Sequence, residues 1–228
     1  MAASGYLVRP LTAPEALRVP ALWDAAWARH PANPYPLPER LWRERLASRH
    51  HDPSLLLGAF VGGELVGYAH GRLPASPWQP DGVAWVSSLA VAAEHQGRGL
   101  GSALLDALLA RLADAGAREV RFGSDADHLL PGVPLESPPA TWRLLRRRGA
   151  RFAAFEHDLH LDLRLPLPDA PLPTGWRLRD DDPQGALAFV SRAFPGRWAE
   201  ELAAYLAGGA TVFTVERAAA RPDGASAG

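Results

Sequence analysis

Residues 83–125, VAWVSSLAVAAEHQGRGLGSALLDALLARLADAGAREVRFGSD, carry the strongest pattern in this chain of 228 residues. An apolar run from Val83 to Val91 has the composition of a buried strand and leads into a turn rich in glycine. A helix follows, because leucines recur every four residues until Gly116. A second short strand, Glu119 to Phe122, returns the chain to the sheet. This β-turn-α-β unit predicts parallel strands with a right-handed crossover.

The glycine turn has the features of an anion site. A Cβ at position 97, 99 or 101 would stand between the backbone and anything lying at the start of the helix. The unpaired N–H groups of the first helical turn and the positive end of the helix dipole favour a phosphate group there. The turn therefore predicts binding of a pyrophosphate.

Known phosphate-binding motifs differ in spacing, and two of them fit poorly. The Walker loop requires a lysine, and the chain contains none. A dinucleotide fingerprint starting at Gly97 requires glycine at position 102, where Ser102 stands. A glycine-rich turn without any ligand remains the structural alternative.

The pattern Q/R-x-x-G-x-G/A, formed here by Gln96, Gly99 and Gly101 after a hydrophobic strand, resembles the acyl-CoA motif of the GNAT N-acetyltransferases. The resemblance implies acetyl-CoA as co-substrate, bound in a cleft where the strands ending at Val91 and Phe122 separate. It implies that strand backbone pairs with the pantetheine amides and that the turn holds the pyrophosphate. The implied cofactor-binding residues are Leu89, Ala90, Val91, Gln96, Gly97, Arg98, Gly99, Leu100, Gly101 and Ser102.

The order of predicted elements agrees with this family. Pattern and turn signals predict β-α-α-β-β-β-α-β-α-β over residues 5–163, an α/β fold with a mixed sheet, GNAT-like. The predicted elements outside the central stretch are a strand Tyr6–Arg9, a helix from Pro14 to about His30, a helix Glu39–Ser48, a hairpin of Leu55–Val61 and Leu65–Arg72, a helix Pro138–Arg148 and a strand Arg151–Leu163.

A second, incomplete copy is predicted after a proline-rich linker at 164–174, RLPLPDAPLPT. Six residue types near the N-terminus recur 170 positions later, although chance explains a match this short as well. Helices Gln184–Phe194 and Arg197–Ala207 and a strand Thr211–Glu216 would supply its first half. The predicted organisation is a GNAT domain at 1–163, the linker, a partial copy without cofactor motif at 175–217 and a disordered tail at 218–228.

Open strand edges in such a remnant predict that it docks on the first domain or on another chain, as in a homodimer.

The chain departs from the family at both usual catalytic positions. Leu145 stands where many members carry a thiolate-protonating Tyr, and Trp85 stands about where several carry a basic Glu. The nearest substitutes are Asp125, Asp127 and His128, which follow the second parallel strand at its carboxyl end. A solvated loop or a helix cap is the alternative account of these residues.

The resulting hypothesis is acetyl transfer from acetyl-CoA to a primary amine of a small molecule or protein, by direct attack. A non-catalytic acyl-CoA sensor or interaction module is the alternative from another class, and a dinucleotide-dependent oxidoreductase is a third.

Composition limits the remaining classes. A net charge of -1 argues against nucleic-acid and membrane-surface binding, and the absence of cysteine removes thiolate chemistry. No signal peptide or membrane span is recognised, so a cytoplasmic location is the expectation. His50-His51-Asp52 is interpreted as a helix end, and no metal site is predicted.

Overall fold

The computed structural model describes residues 5–28, 35–126, 129–155, 164, 166 and 171–218. The chain divides into two compact units, Met1–Glu156 and His157–Gly228. The division lies ahead of the predicted linker at 164–174, part of which is outside the described residues.

A mixed five-stranded sheet forms the centre of the first unit, in the order β1-β2-β3-β4-β5. Its strands are β1 (Tyr6–Pro10), β2 (Leu56–Val61), β3 (Glu64–Arg72), β4 (Val83–Val91) and β5 (Glu119–Phe122). Neighbours are antiparallel from β1 to β4, whereas β4 and β5 are parallel. The predicted mixed sheet and its parallel crossover are confirmed.

Helices cover both faces of this sheet. They are α1 (Ala13–Ala16), α2 (Val19–Ala26), α3 (Glu39–Ala47), α4 (Leu100–Asp114) and α5 (Pro139–Arg146), with 3₁₀ turns at Pro53–Leu55 and Ala93–His95. On one face, Trp23 and Trp42 pack with Tyr68 in a core cluster. On the other face, the leucines of α4 form a second cluster with strand residues.

The predicted helix from Pro14 to about His30 is divided in two, with a turn at Leu17 and Arg18. Pro20 explains the division, because its ring has no N–H for the carbonyl of Ala16 and clashes with it in a continuous helix. The carbonyl of Ala16 instead accepts a hydrogen bond of 2.7 Å from the indole Nε1 of Trp42. The break in the helix thus fastens α1 to α3.

The leucine repeat of α4 faces the core, as its spacing predicted. Leu104, Leu108 and Leu112 are fully buried and Leu100 is nearly so. Burial of this stripe fixes α4 across the sheet, with its first turn beside the end of β4. The fold therefore places the glycine turn next to the parallel strand pair.

The second unit contains β6 (Trp176–Arg179), α6 (Pro183–Ala193), α7 (Arg197–Ala207) and β7 (Thr214–Arg217). β6 and β7 form an antiparallel pair. Both predicted helices are confirmed, and the final strand begins at Thr214, three residues later than predicted. The interpretation of this unit as a second copy stays a prediction.

Further element predictions extend beyond the described residues, among them the end of the helix predicted to reach about His30. Residues 151–155 of the predicted strand Arg151–Leu163 are described and are not in a strand, and 156–163 lie outside. Only Ala218 of the tail predicted to be disordered is described. No helix among the described residues is long and apolar enough to cross a bilayer.

Candidate functional site

β4 and β5 are paired only over the first half of β4. Parallel pairing joins 83–86 to 119–122, and the next backbone bond runs from the N–H of Gly123 to the carbonyl of Val86 at 3.0 Å. Beyond that point, no described strand pairs with β4 on this side. A gap therefore opens beside residues 87–91, at the carboxyl ends of two parallel strands, where ligands of open α/β sheets bind.

A β-bulge marks the start of the gap. Ser88 lies opposite His70 and Val86 lies opposite Gly71, so Ser87 is an extra residue on β4. Such a bulge bends its strand and interrupts the ladder locally. It lies at the position where β4 leaves β5.

The pairing of β4 with β3 determines the direction in which the backbone N–H and C=O groups of β4 point. The N–H of Ala92 donates to the carbonyl of Val66 at 2.9 Å. Because alternate residues of an antiparallel strand bond to the same neighbour, Ser88 and Ala90 also bond to β3. Leu89 and Val91 consequently direct their N–H and C=O groups toward the gap. This edge is suited to an extended ligand that carries amides.

Glycines at 97 and 99 shape the turn between β4 and α4. Their φ angles are 77° and 84°, which L-residues with side chains rarely adopt. A Cβ built on either glycine meets no protein atom within 4 Å. The space above this backbone is therefore open to a ligand at the N-terminus of a 15-residue helix.

The predicted cofactor residues in the turn differ in their side-chain environment. Arg98 is exposed between the two glycines, and Gly101 and Ser102 are partly exposed. The side chain of Leu100 is 2% exposed and belongs to the core, so only its backbone faces the turn.

Gln96 connects the turn to its surroundings. Its Nε2 donates to the carbonyl of Val91 at 2.8 Å and to the carbonyl of Ala26 at 3.3 Å. The amide therefore holds the end of β4 against the end of α2. This is a positioning contact, which the motif alone did not indicate.

The two ends of the segment after β5 lie close together, because the backbone at Gly123 approaches the backbone at Gly132. Gly123 has a φ of 75°, and a Cβ added there would lie 2.6 Å from backbone atoms of Gly132. The N–H of Ser124 donates to the carbonyl of Leu130 at 2.8 Å, and its hydroxyl donates to the carbonyl of Pro131 at 2.6 Å. These contacts fix both ends of the segment that carries the predicted catalytic residues.

Asp125 lies inside this segment and forms a buried ion pair with Arg72. Its side chain is 1% exposed and its Oδ2 is 3.0 Å from Nε of Arg72, whose side chain is 2% exposed. The hydroxyl of Ser87 also donates to Oδ2. The carboxylate thus links β3, the bulge of β4 and the segment after β5.

Arg72 and Ser87 were missed by the sequence analysis. The available signal was an arginine at the end of a largely apolar strand and a Ser-Ser pair inside another, because charged and polar groups are rarely buried without a partner. Neither signal identifies Asp125 as that partner, since pairing depends on strand order in the sheet.

The other predicted catalytic residues, Asp127 and His128, lie outside the described residues. Leu145 and Trp85, at the positions where the family carries titratable groups, are 7% and 3% exposed. Both belong to the apolar interior. The described residues therefore place no proton donor at either position.

Two neutral polar groups lie on the α2 and α3 side of β3. His70 is fully buried, and its Nε2 is 3.2 Å from Nδ1 of His51. Burial, with the charge of Arg72 and the proximity of His51, lowers the pKa of His70 well below its usual value. Burial likewise raises the pKa of Tyr68.

His50 and His51 follow α3, as predicted for a helix end. Among the described residues, no cluster of side chains is suited to a metal ion.

Comparison with known families gives a match that covers this part of the chain. The sequence model of the acetyltransferase (GNAT) family matches residues 19–130, a range that includes β4, the glycine turn and α4. A comparison with curated proteins finds no match.

Solved structures with similar folds include two GNAT proteins. The ribosomal-protein-S18-alanine N-acetyltransferase of Escherichia coli shares 17% identity and a TM-score of 0.50 over 65% of this chain and 79% of its own. A glucosamine N-acetyltransferase region of a fungal multi-domain β-N-acetylglucosaminidase shares 20% identity and a TM-score of 0.69 over 95% of this chain and 26% of its own. At these identities the likeness concerns the fold.

A GCN5-related N-acetyltransferase of Sphaerobacter thermophilus shares 27% identity over 64% of this chain, with a TM-score of 0.47. The present chain covers only 41% of that protein. GNAT proteins are acetyltransferases that use acetyl-CoA as co-substrate. The match over residues 19–130 includes β4, the glycine turn and α4, and the first unit of this chain therefore contains an acetyltransferase domain of the GNAT family.

Proposed function

We propose that the first unit transfers an acetyl group from acetyl-CoA to a primary amine by direct attack on the thioester. The observation that carries this proposal is the gap beside residues 87–91, whose free strand edge ends at an open glycine turn. A thioester supplies the activated acyl group, and the chain has to orient it, bind the developing negative charge and move protons.

The residues present fit such a ligand. The N–H groups of Leu89 and Val91 face the gap, so one can bind a pantetheine amide and another the thioester oxygen. The backbone of residues 97–102, with the N-terminus of α4, offers N–H groups to the pyrophosphate. Gln96 contributes by holding the ends of β4 and α2.

Proton transfer is assigned to the segment after β5. In the reaction the amine nitrogen forms a bond to the carbonyl carbon, the C–S bond breaks, the amine loses a proton and the thiolate gains one. We assign proton removal to His128, supported by Asp127. Asp125 has the environment of a positioning residue, because its carboxylate is already engaged by Arg72 and Ser87.

A non-catalytic acyl-CoA sensor is the second candidate. The buried apolar side chains of Leu145 and Trp85 favour it, because both positions commonly carry proton-transferring groups in this family. Both candidates share the cofactor site and differ only in turnover. The acceptor amine, whether on a small molecule or a protein, belongs to the first candidate alone.

Acetyl-CoA binding is tested by the unfolding temperature of the wild type, of Gly99→Glu and of Gly63→Glu. Gly63 is a matched control, because its φ of 87° and its open surroundings equal those of Gly99. It lies in the hairpin between β2 and β3. We expect stabilisation by acetyl-CoA in the wild type and in Gly63→Glu, and its loss in Gly99→Glu.

Turnover is tested by thiol release across a panel of primary amines. Release with any amine supports the transferase. Stabilisation without release supports the sensor, and no stabilisation of the wild type at saturating acetyl-CoA contradicts both candidates.

A further inference from the structure

An apolar cavity lies in the first unit, on the face of the sheet covered by α2 and α3. Its volume is about 130 Å³. Its lining includes Trp23, Tyr35, Leu37, Leu41, Leu129 and Leu130. Three elements contribute walls: α2, the approach to α3 with its first turn, and the segment after β5.

The described walls of this cavity are held in place by hydrogen bonds and consist of uncharged residues. The indole Nε1 of Trp23 donates to the carbonyl of Tyr35 at 2.6 Å, which ties the approach to α3 onto α2. The carbonyl of Leu130 is held by the N–H of Ser124. None of the described residues that line the cavity carries a charge, so a charged group placed against these residues would lose hydration without compensation.

The volume of this cavity, about 130 Å³, is sufficient for one six-membered ring. A cavity of about 150 Å³ lined by Leu, Ile and Phe stays dry and binds benzene. A guest of similar size, either an aromatic ring or a branched aliphatic group, would therefore fill the present cavity.

The cavity is connected to the proposed reaction site through one wall. The N–H of Leu129 lies 3.4 Å from Oδ1 of Asp125, and the same carboxylate accepts from the hydroxyl of Ser87 in the bulge. One wall of the cavity is thus hydrogen-bonded to the residue that links the bulge of β4 to the segment after β5. A group bound in the cavity lies on the α2 and α3 side of the sheet, close to where the strand gap begins.

The geometry points to an acceptor subsite: the cavity binds the uncharged ring or branched chain of the acceptor, and the amine of the same molecule reaches the thioester. The substrate class is a primary amine attached through a short linker to an apolar group of about one ring. Polar amino sugars and polyamines are disfavoured, because the described walls are mainly apolar and offer few partners to several hydroxyl or ammonium groups. This inference rests on the proposed transferase function.

The test changes the cavity volume through Leu41, a partly buried wall residue. Leu41→Trp fills the cavity and Leu41→Ala enlarges it. Leu7→Trp is the matched control, since Leu7 is 56% exposed on β1, away from the cavity. Acetyl-CoA stabilisation is measured for every variant and should equal that of the wild type.

Acceptor preference is measured as kcat/KM by thiol release with benzylamine and with ethanolamine. We expect a preference for benzylamine of about tenfold or more in the wild type and in Leu7→Trp, because one apolar contact site supplies discrimination of that order. Leu41→Trp should lose this preference, and Leu41→Ala should extend it to 2-naphthylmethylamine. Equal kcat/KM for both amines in the wild type, or an unchanged preference in both Leu41 variants, overturns the inference.

A measurement without turnover separates this inference from the transferase proposal. Toluene should raise the unfolding temperature of the wild type and of Leu7→Trp, and should not raise that of Leu41→Trp. If no amine releases thiol although acetyl-CoA binds, the transferase proposal is contradicted. The toluene measurement then still tests whether the cavity binds an apolar ring. Absence of any toluene effect on the wild type overturns the apolar subsite.

Discussion

Asp125 is a catalytic candidate by its position after β5, and its burial favours a positioning role. A carboxylate with 1% exposure, paired with an arginine of 2% exposure, is not available to solvent or to a diffusing amine. Its three contacts join β3, β4 and the segment after β5. The ion pair therefore holds the strand gap in shape.

We predict that Asp125→Asn lowers the free energy of unfolding by about 3–5 kcal/mol, because Arg72 remains as a buried charge without its counterion. Urea denaturation measures this loss. The matched control is Asp106→Asn, which removes the partner of Arg148 from a site where the carboxylate is 59% exposed. An exposed pair of this kind contributes about 1 kcal/mol or less. Equal losses in the two variants would contradict the structural importance of the buried pair.

His70 makes the stability of the first unit depend on pH. Its pKa in the folded protein is lowered by burial, by Arg72 and by His51, from a usual value of 6.5. The unfolded chain therefore binds a proton at this residue more readily than the folded chain does. The contribution of neutral His70 is fully present above about pH 6.5 and is lost as the pH falls below it.

We predict that the difference in unfolding free energy between the wild type and His70→Gln is constant above about pH 7. Below about pH 6.5 the wild type should lose stability relative to the variant by up to about 1.4 kcal/mol per pH unit. This is the largest slope that the uptake of one proton on unfolding can produce. Urea denaturation from pH 5 to pH 8 measures it. A difference that does not vary with pH would show that His70 does not carry this dependence.

Among secondary-structure elements, the break between α1 and α2 has a specific function in packing. Pro20 leaves the carbonyl of Ala16 without its helical donor, and the fully buried indole of Trp42 supplies the replacement. The same indole packs edge-on against the ring of Tyr68, with 6.1 Å between centroids. One side chain thus joins α1, α3 and β3.

We predict that Trp42→Phe lowers the free energy of unfolding by about 3 kcal/mol, since it leaves a cavity and a buried carbonyl without a donor. Trp142→Phe is the control, because Trp142 stacks on Phe152 at 5.4 Å and phenylalanine preserves that contact. Its loss should be below about 1 kcal/mol. Denaturation curves followed by far-UV circular dichroism measure both. Similar losses in the two variants would mean that the indole donor contributes little.

The bulge at Ser87 is a feature of β4 that its apolar sequence pattern did not predict. The apolar run of β4 predicted a regular strand, and its bounds Val83–Val91 are confirmed. The extra residue became visible only in the register with β3, because a bulge is a property of two paired strands.

At the scale of the whole molecule, the second unit exposes a large number of apolar side chains. The exposed group comprises Trp176, Leu178, Phe189, Phe194, Trp198, Tyr205, Phe213 and Val215. Its sheet has only two strands, so among the described residues β6 and β7 each keep one unpaired edge. Apolar surface and open edges of this kind favour association.

We predict that the full chain forms a homodimer through residues 175–217. Sedimentation velocity should show a dimer for the wild type and a monomer for the double variant Trp198→Glu, Phe213→Glu, whose side chains are 63% and 62% exposed. Leu135→Glu, at a residue of the first unit that is 62% exposed, is the control and should remain dimeric. A monodisperse wild-type monomer at every concentration would contradict the prediction.

Elements with local signals could be predicted from the amino-acid sequence without the structure. The glycine turn, the leucine stripe of α4, the β2–β3 hairpin and the helices of the second unit follow from periodicity and turn chemistry, which act over a few residues. The same local signals carried the resemblance to the GNAT motif, because its glycines and its helix start are contiguous in the chain.

Contacts between residues far apart in the sequence became apparent only in the folded chain. The pairing of Arg72 with Asp125, the contact of Trp42 with Ala16 and the apolar cavity lined by Leu41 and Leu130 join residues far apart in sequence. Such contacts depend on strand order, on register and on the faces that the helices cover. No local pattern encodes them, because burial and pairing become defined only when the sheet is assembled.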